Sequence, residues 1–220
     1  MGITNTNTLA AYQSLRGLYA VTPDDPLLPR LSVLVSMALK GGVKIVQYRN
    51  KTAPQPLRRS QAAELVRICR AEGAKLIVND DLALALEIGA DGVHLGKEDV
   101  PGGDLAAVRA ALGPERILGV SCYNELARAE QAVAAGADYI AFGAVFPSQT
   151  KPAAAQAPLS LISEAKTRFG DRSAIAAIGG ITLANAPEVI AAGADLVAVI
   201  TDLFDAMDIA SRAEAYQTLF

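Results

Sequence analysis

The sequence predicts an α/β protein folded as a single (β/α)8 TIM barrel, because two patterns alternate along nearly its whole length. Eight short apolar runs rich in Val, Ile, Leu and Ala alternate with helix-length amphipathic or alanine-rich stretches. Short buried runs separated in this way are typical of parallel strands joined by crossover helices. The chain has 220 residues, of which 51% are hydrophobic, so it can build the core that one such barrel needs.

Each apolar run is interpreted as one strand. In chain order the runs are 18–21, 43–47, 76–78, 92–95, 117–120, 139–142, 174–178 and 196–200. An open, doubly wound sheet is the alternative fold, but its first strand usually ends in a glycine-rich phosphate loop. Here the first run ends in Val21-Thr22-Pro23-Asp24, so the barrel is favoured.

The stretches between the runs carry helix signals. Residues 57–72 place apolar side chains at helical spacing, which predicts a helix. The phrase Gly-Ala-Asp occurs three times, each time after a predicted helix and before a predicted strand, which is typical of a glycine C-cap and indicates architecture rather than chemistry. Polar N-caps are predicted before three helices, at Asp81, at Asn124, and at Thr182 or Asn185.

Composition restricts the setting and the partners. Residues 1–16 are expected to form an N-terminal extension and residues 17–220 one barrel domain. The formal net charge of −3 argues against a nucleic-acid binder, and no segment predicts a membrane span or a secretory signal. Two cysteines, Cys69 and Cys122, cannot form a disulfide framework, so a reduced, cytoplasmic setting is expected. The oligomeric state stays open, and a homo-oligomer is compatible with the sequence.

The chemistry of such barrels lies at the carboxyl ends of the strands. The second strand runs into Gln47-Tyr48-Arg49-Asn50-Lys51, and a period of two places Gln47, Arg49 and Lys51 on one face with Val43 and Ile45. Arginine can bind a phosphate with two parallel donors, and lysine adds a point charge. A phosphate-binding strand end is predicted here, with a merely solvated end as the alternative.

Acidic residues follow the third and fourth strands, as Asn79-Asp80-Asp81 and as Asp99. Neighbouring strands lie about 4.8 Å apart, so Asp80 and Asp99 can approach one ion. Two carboxylates together with substrate oxygens and water are the usual ligands of Mg²⁺, so a metal or phosphate-bridging role is predicted. His94, the one histidine, is interpreted as a hydrogen-bonded core residue.

The remaining strand ends carry hydroxyl groups and glycines. Ser121 follows the fifth strand and is interpreted as a hydroxyl that donates to a bound anion. The sixth strand leads to Ser148, Gln149, Thr150 and Lys151, and the small-residue stretch from Pro152 is a candidate lid. Gly179-Gly180 and Ile200-Thr201 follow the last two strands, where these barrels commonly bind phosphate. Two anion sites are therefore predicted, which suits the joining of two phosphorylated substrates with loss of pyrophosphate.

These residues, in this order, resemble the thiamine-phosphate synthase (thiamine-phosphate pyrophosphorylase) family over nearly the whole chain. The similar motifs are Gln47-x-Arg49-x-Lys51, Asn79-Asp80-Asp81, His94-Leu95-Gly96 with Asp99, Gly119-x-Ser121, Ser148-x-Thr150-Lys151 and Ile178-Gly179-Gly180-Ile181. The resemblance implies a transferase that couples hydroxymethylpyrimidine diphosphate with hydroxyethylthiazole phosphate, giving thiamine phosphate and pyrophosphate. It also implies a dissociative, Mg²⁺-assisted reaction, in which the diphosphate leaves before the thiazole nitrogen attacks.

The resemblance assigns roles to residues by position. Catalysis would fall to Arg49, Lys51 and Lys151, and Mg²⁺ would bind Asp80 and Asp99. The pyrimidine diphosphate would contact Gln47, Tyr48, Arg49, Asn50, Lys51, Asn79, Ser121 and Lys151. The thiazole phosphate would contact Ser148, Gln149, Thr150, Gly180, Ile200 and Thr201.

Four positions depart from the family pattern, namely Lys97 for Gln, Ser148 for Thr, Thr201 for Ser and Tyr123 for His. In related thiazole tautomerases a histidine at the last position is thought to be catalytic, so Tyr123 disfavours that isomerase activity. A non-catalytic barrel that binds thiamine phosphates is the other alternative. A phosphosugar enzyme such as an epimerase is compatible with the fold alone.

Overall fold

The computed structural model describes residues 15–147 and 156–220, which form a closed parallel barrel with its strands in chain order. Each of the eight predicted runs overlaps one strand, so the predicted fold is confirmed. The strands are β1 Gly17–Val21, β2 Ile45–Tyr48, β3 Lys75–Asn79, β4 Gly92–Leu95, β5 Ile117–Tyr123, β6 Tyr139–Phe142, β7 Ala174–Ile178 and β8 Leu196–Val199. The predicted N-terminal extension lies almost wholly outside the described residues.

Helices follow the strands and cover the outside of the barrel. They are α1 Leu28–Lys40, α2 Gln55–Ala71, α3 Leu82–Glu87, α4 Leu105–Leu112, α5 Leu126–Ala134, α6 Leu159–Phe169, α7 Ala186–Ala191, α8 Thr201–Phe204 and α9 Ile209–Gln217, with a 3-10 turn at Pro101–Gly103. Helix α2 begins two residues before its predicted start, since Pro56 in its first turn needs no hydrogen-bond acceptor there. Within the described ranges, no helix is long and apolar enough to cross a membrane.

The predicted caps have different outcomes. Asp81 caps α3 as predicted, because its Oδ1 accepts a hydrogen bond of 2.9 Å from the backbone N–H of Leu84. The prediction for Asn124 is wrong: Glu125 occupies the N-cap of α5, and the Asn124 amide instead donates to the carbonyl of Gln156. Asn185 occupies the N-cap of α7, but its side chain accepts from the N–H of Thr182 and so tightens the preceding turn.

The core has two layers separated by the sheet. The outer layer packs the strands against the helices, while a smaller inner layer fills the barrel. Two tyrosines, Tyr19 and Tyr139, are the largest side chains of the inner layer, and alanines of β6, β7 and β8 make room for them. Val43 precedes β2 and packs in the outer layer, so the expectation that it shares a face with Ile45 is wrong.

The Gly-Ala-Asp repeat forms three similar contacts at the amino-terminal ends of the strands, which we call the aspartate clamps. The glycines have φ of 66°, 83° and 109°, as residues that end a helix in this way require. Each aspartate accepts a hydrogen bond from the backbone N–H of the preceding strand and pairs with a basic side chain. The clamps are Asp91 with Leu76 and Lys75, Asp138 with Leu118 and Arg109, and Asp195 with Ile175 and Lys166. The architectural interpretation of the repeat is consistent with these contacts.

The start of the β1–β2 pair is held differently, by the last helix. Gln217 of α9 accepts a hydrogen bond of 3.4 Å from the N–H of Leu18 and donates one of 2.7 Å to the carbonyl of Gly42. One side chain thereby joins the beginning of β1 to the residues that lead into β2.

Candidate active site

The carboxyl ends of β1 and β2 are tied together beside the predicted phosphate-binding residues. The fully buried hydroxyl of Thr22 donates to the carbonyl of Arg49 and accepts from its N–H, each over 2.9 Å. Asp24 accepts from the Arg49 guanidinium and from the N–H of Lys51, each over 3.2 Å. Asp24 therefore holds the side chain of Arg49 and the backbone of Lys51 at the mouth of the barrel.

The five predicted residues of this strand end do not all face the same space. Gln47 points into the barrel, where its amide donates to the hydroxyl of Tyr19 over 2.8 Å. Tyr48 lies on the opposite face of β2 and donates to Gln61 in the outer layer. The buried amide of Asn50 donates to Gln61 and to the carbonyl of Asp25, so its side chain holds the loop that leads to Lys51.

The acids predicted at β3 and β4 lie together with Lys51. The ammonium of Lys51 is 3.0 Å from Asp80 Oδ2. Asp80 has a positive φ of 65°, a conformation uncommon outside glycine and often associated with functional sites. Burial raises the pKa of Asp99 above its usual value, and the hydrogen bond and negative charge of Asp80 raise it further. Asn79 is the last residue of β3 and directly precedes Asp80.

A divalent cation fits this pair of carboxylates. Burial and the neighbouring Asp80 carboxylate both disfavour the charged form of Asp99, and a positive ion between the two side chains would offset this. Among the described residues there is no group of three or more His, Cys, Asp or Glu side chains that could hold a metal. A two-carboxylate site completed by substrate and water oxygens is the arrangement in which Mg²⁺ is commonly held.

His94 is a buried, hydrogen-bonded residue, as predicted. Its Nδ1 lies 2.9 Å from the Tyr139 hydroxyl and its Nε2 lies 2.8 Å from the hydroxyl of Ser121. Burial lowers the pKa of His94 to about 4, so the ring is neutral near pH 7. Ser121, at the carboxyl end of β5, is half-buried and has this histidine on one side.

The loops after β7 and β8 form the other side of the mouth. Gly180 has a φ of 64°, and a Cβ added to it would lie 2.7 Å from the carbonyl oxygen of Pro147. The β7 loop therefore packs closely on the loop that leads to Ser148, Gln149, Thr150 and Lys151, four predicted residues that lie outside the described part of the chain. Ile200 precedes α8, whose first residue is Thr201.

Comparison with known proteins decides the family. A family model described as thiamine monophosphate synthase matches residues 18–203. The chain belongs to this family. The thiamine-phosphate synthase of Aromatoleum aromaticum is 56% identical over 206 residues, covering 94% of this chain and 97% of that protein. That of Chromobacterium violaceum is 53% identical over 201 residues, covering 91% and 94% respectively.

Solved structures agree with this membership of the thiamine monophosphate synthase family. Thiamine phosphate pyrophosphorylase from Pyrococcus furiosus superposes with a TM-score of 0.82 at 31% identity, covering 94% of this chain and 96% of that one. A structure of 3-hexulose-6-phosphate synthase, at 19% identity and a TM-score of 0.68, covers 92% and 99% and shares the fold alone. Family membership confirms the predicted enzyme class, a transferase of thiamine biosynthesis.

Two departures from the pattern of the thiamine-phosphate synthases lie in contact with each other. The backbone N–H of Lys97 donates to the Tyr123 hydroxyl over 3.2 Å. Tyr123 has a positive φ of 56°, and its hydroxyl lies near Gly96, which itself donates to Asp99. These two residues therefore shape the same side of the mouth as the acidic pair.

Sequence reasoning missed three residues that organise this thiamine monophosphate synthase site. Asp24 is one of them, although it lies in the loop after the first strand and beside the two basic residues. Tyr19 and Tyr139 were assigned only to apolar runs. A buried tyrosine normally requires a hydrogen-bond partner, so a tyrosine in each of two buried strands was a signal for polar contacts inside the barrel.

Proposed function

We propose that this protein couples hydroxymethylpyrimidine diphosphate with hydroxyethylthiazole phosphate to give thiamine phosphate and pyrophosphate. The observation that carries the proposal is the pairing of basic and acidic side chains at the ends of β2 to β4. Lys51 contacts Asp80, and Arg49 is held nearby by Asp24. Such a cluster suits a diphosphate with a bound cation, while the glycine loop after β7 suits a monophosphate.

The reaction we propose is a dissociative substitution, in which the diphosphate leaves and the thiazole nitrogen then captures the pyrimidine-stabilised cation. This chemistry needs little proton transfer, so a site with one neutral histidine is no obstacle. It needs positive charge where the leaving diphosphate gathers negative charge. Arg49 and Lys51 would supply this charge, together with Lys151 from the loop after β6.

Asp80 and Asp99 would hold Mg²⁺ beside the diphosphate. When bound there, the ion would offset negative charge on the departing group. Lys51 would bind the same group, since its ammonium already lies within reach of Asp80. Gln47 and Asn79 would orient the pyrimidine portion, and the Ser121 hydroxyl would donate to the diphosphate.

The thiazole phosphate would bind across the mouth, at the loops after β7 and β8. The backbone N–H groups of Ile200 and Thr201 lie at the start of α8, and the first N–H groups of a helix have no acceptor within it. The backbone of Gly180, in the glycine loop after β7, would bind the same phosphate. The side chains of Ser148, Gln149 and Thr150 would complete the site. Holding the thiazole near the pyrimidine replaces a bimolecular encounter by a reaction between bound partners.

A reduced, cytoplasmic setting belongs to the same proposal. Cys69 and Cys122 are both buried and free. Burial raises the pKa of each thiol to about 12, so neither is poised to react.

The decisive experiment supplies the purified protein with Mg²⁺ and both substrates and follows pyrophosphate and thiamine phosphate together. We expect both products in equal amounts, and their loss when the metal is chelated. Binding of either substrate without turnover would instead support a non-catalytic barrel. Interconversion of thiazole phosphate isomers without coupling would support the isomerase alternative, and absence of any binding would contradict the proposal.

A further inference from the structure

A chain of hydrogen bonds crosses the barrel interior from β2 to β5. It begins at Gln47 Nε2, which donates to the Tyr19 hydroxyl over 2.8 Å. The Tyr19 and Tyr139 hydroxyls lie 2.7 Å apart, and Tyr139 lies 2.9 Å from His94 Nδ1. The chain ends at the hydroxyl of Ser121, 2.8 Å from His94 Nε2. Its two ends are residues that the proposed function places on the pyrimidine diphosphate.

Burial gives this chain a direction. Tyr19 and Tyr139 are 1% and 0% exposed, so each phenolic hydrogen needs an acceptor within the chain. Because the Tyr19 oxygen accepts from Gln47, its hydrogen goes to Tyr139. The Tyr139 hydrogen must then go to Nδ1 of His94. A doubly protonated ring would leave one phenolic hydrogen without an acceptor, so the ring is neutral and carries its hydrogen on Nε2.

The direction fixes what each end offers a ligand. Ser121 accepts from His94 Nε2, which leaves the serine hydrogen free to donate into the site. Gln47 donates into the chain from its nitrogen, which leaves its carbonyl oxygen free to accept. The reverse direction would flip the glutamine amide and turn Ser121 into an acceptor. Phosphate oxygens only accept, so the reverse direction would place acceptor against acceptor.

We propose that Tyr19, Tyr139 and His94 are positioning residues that hold Ser121 as a donor and the Gln47 carbonyl as an acceptor. The fitting ligand has a hydrogen-bond donor, such as an amino group on a heteroaromatic ring, near Gln47 and an anionic oxygen near Ser121. The inference rests on the proposed function and adds to it the mechanism by which one end of the substrate site sets the hydrogen-bonding character of the other.

Packing keeps the three rings of this chain in place. Tyr139 meets the edge of Tyr19 at 5.6 Å and 87°, and it stacks on His94 at 5.6 Å and 14°. Gly119 lies against the Tyr139 ring so closely that an added Cβ would be 2.0 Å from its Cζ. This packing keeps the two hydroxyls and the imidazole within hydrogen-bond distance of one another, which the transmission of a direction along them requires.

The first test is the tautomer of His94. It can be measured by ¹⁵N NMR without overlap, because the protein contains one histidine. We expect the hydrogen on Nε2 in the free protein and in the protein with pyrimidine diphosphate. In Tyr139→Phe the donor to Nδ1 is gone, and we expect a mixture of tautomers. A wild-type histidine that carries its hydrogen on Nδ1 would overturn the inference.

The second test is kinetic and uses two variants with a matched control. Tyr139→Phe and Tyr19→Phe should each raise KM for the pyrimidine diphosphate about three- to tenfold. KM for the thiazole phosphate should stay unchanged. Tyr19→Phe should keep the wild-type tautomer, since Tyr139 can still donate to His94. The control is Tyr216→Phe, which removes a buried hydroxyl bonded to Asp202 in α8 and should leave KM for the pyrimidine diphosphate unchanged.

The two tests separate this inference from the function on which it rests. The tautomer is measured without turnover, so it can be decided even if the protein forms no thiamine phosphate. Unchanged KM values in both tyrosine variants, with wild-type turnover intact, would overturn the positioning role alone. If Tyr139→Phe fails to fold, Tyr19→Phe and the wild-type tautomer still decide the question.

Discussion

At the scale of single residues, the contact between Lys51 and Asp80 is the main feature of the site. The two charged atoms are 3.0 Å apart, but half of the lysine side chain is exposed. Ion pairs so open to water contribute little to folding. We therefore attribute the pair to the proposed function. It keeps the Lys51 ammonium where it would bind the diphosphate and the Asp80 carboxylate where it would bind the metal ion.

Lys51→Ala should reduce kcat by about 100- to 1,000-fold, because the departing diphosphate would lose a fixed positive charge. The free energy of unfolding should change by less than about 0.5 kcal/mol. Steady-state kinetics and urea unfolding measure the two quantities. Lys44→Ala is the matched control, since Lys44 precedes β2 at the opposite end of the barrel and only approaches the carbonyl of Glu72. Equal rates in Lys51→Ala and wild type would remove Lys51 from the diphosphate site.

Asp99→Asn should raise the Mg²⁺ concentration for half-maximal rate by about 10- to 100-fold, since one of two carboxylate ligands is lost. A titration of the rate with Mg²⁺ measures the effect. Glu98→Gln removes a neighbouring exposed charge and serves as the control. If both variants shift the titration equally, the effect is one of general charge and the metal assignment to Asp99 is wrong.

Local pattern predicted some residues of the site and missed others for a physical reason. Gln47, Arg49 and Lys51 follow from strand periodicity and from the position of a strand end. Asp24 lies 25 residues before Arg49, and Tyr19 lies 120 residues before Tyr139. Contacts between residues so far apart in sequence cannot be predicted from local spacing, and they were identified only from the folded barrel.

At the scale of elements, the aspartate clamps explain why the Gly-Ala-Asp phrase recurs. A helix must end, turn and place the next strand in register, and the clamp aspartate also bonds the preceding strand. This pattern was visible in the sequence as architecture, whereas the bonding partners were not. The failed cap at Asn124 is the opposite case: a favourable residue type stands one position from the real N-cap, and a tertiary contact uses its amide.

Asp138→Asn should destabilise the protein by about 3 kcal/mol, because the Arg109 guanidinium and the Leu118 N–H would both lose a charged acceptor. Urea unfolding measures this change, and turnover per folded molecule should match wild type. Glu64→Gln, which breaks an exposed pair with Arg67, should cost no more than about 0.5 kcal/mol. Similar losses in the two variants would contradict the clamp.

At the scale of the whole molecule, stability and chemistry belong to opposite ends of the barrel. The clamps lie where strands begin, and the charged site lies where they end, as is general for this fold. An exception is Asp202 in α8, near the proposed thiazole phosphate site. It accepts hydrogen bonds from Leu183 in the turn before α7 and from Arg212 and Tyr216 of α9, so it joins α8 to α9 and to that turn.

Stability should fall in acid partly through Asp202. Burial opposes its ionisation, but hydrogen bonds from Arg212 and Tyr216 outweigh burial and lower its pKa. A carboxyl group with a lowered pKa stabilises the fold at pH values above its pKa in the unfolded chain, which is about 3.9. This contribution is lost as the pH falls through the lower pKa of the folded state. Asp202→Asn should therefore be less stable than wild type at pH 7, with the difference shrinking towards pH 3. Unfolding free energies that differ by a constant amount across this range would contradict the assignment.

The contact of Gln217 with the start of β1 and β2 has a consequence for the order of folding during synthesis. The three clamp aspartates reach backbone groups 15 or 20 residues away, so each unit can close soon after it leaves the ribosome. The Gln217 contacts span 199 and 175 residues. The first two strands are synthesised earliest, but their contact with Gln217 therefore forms late, after α9 has emerged.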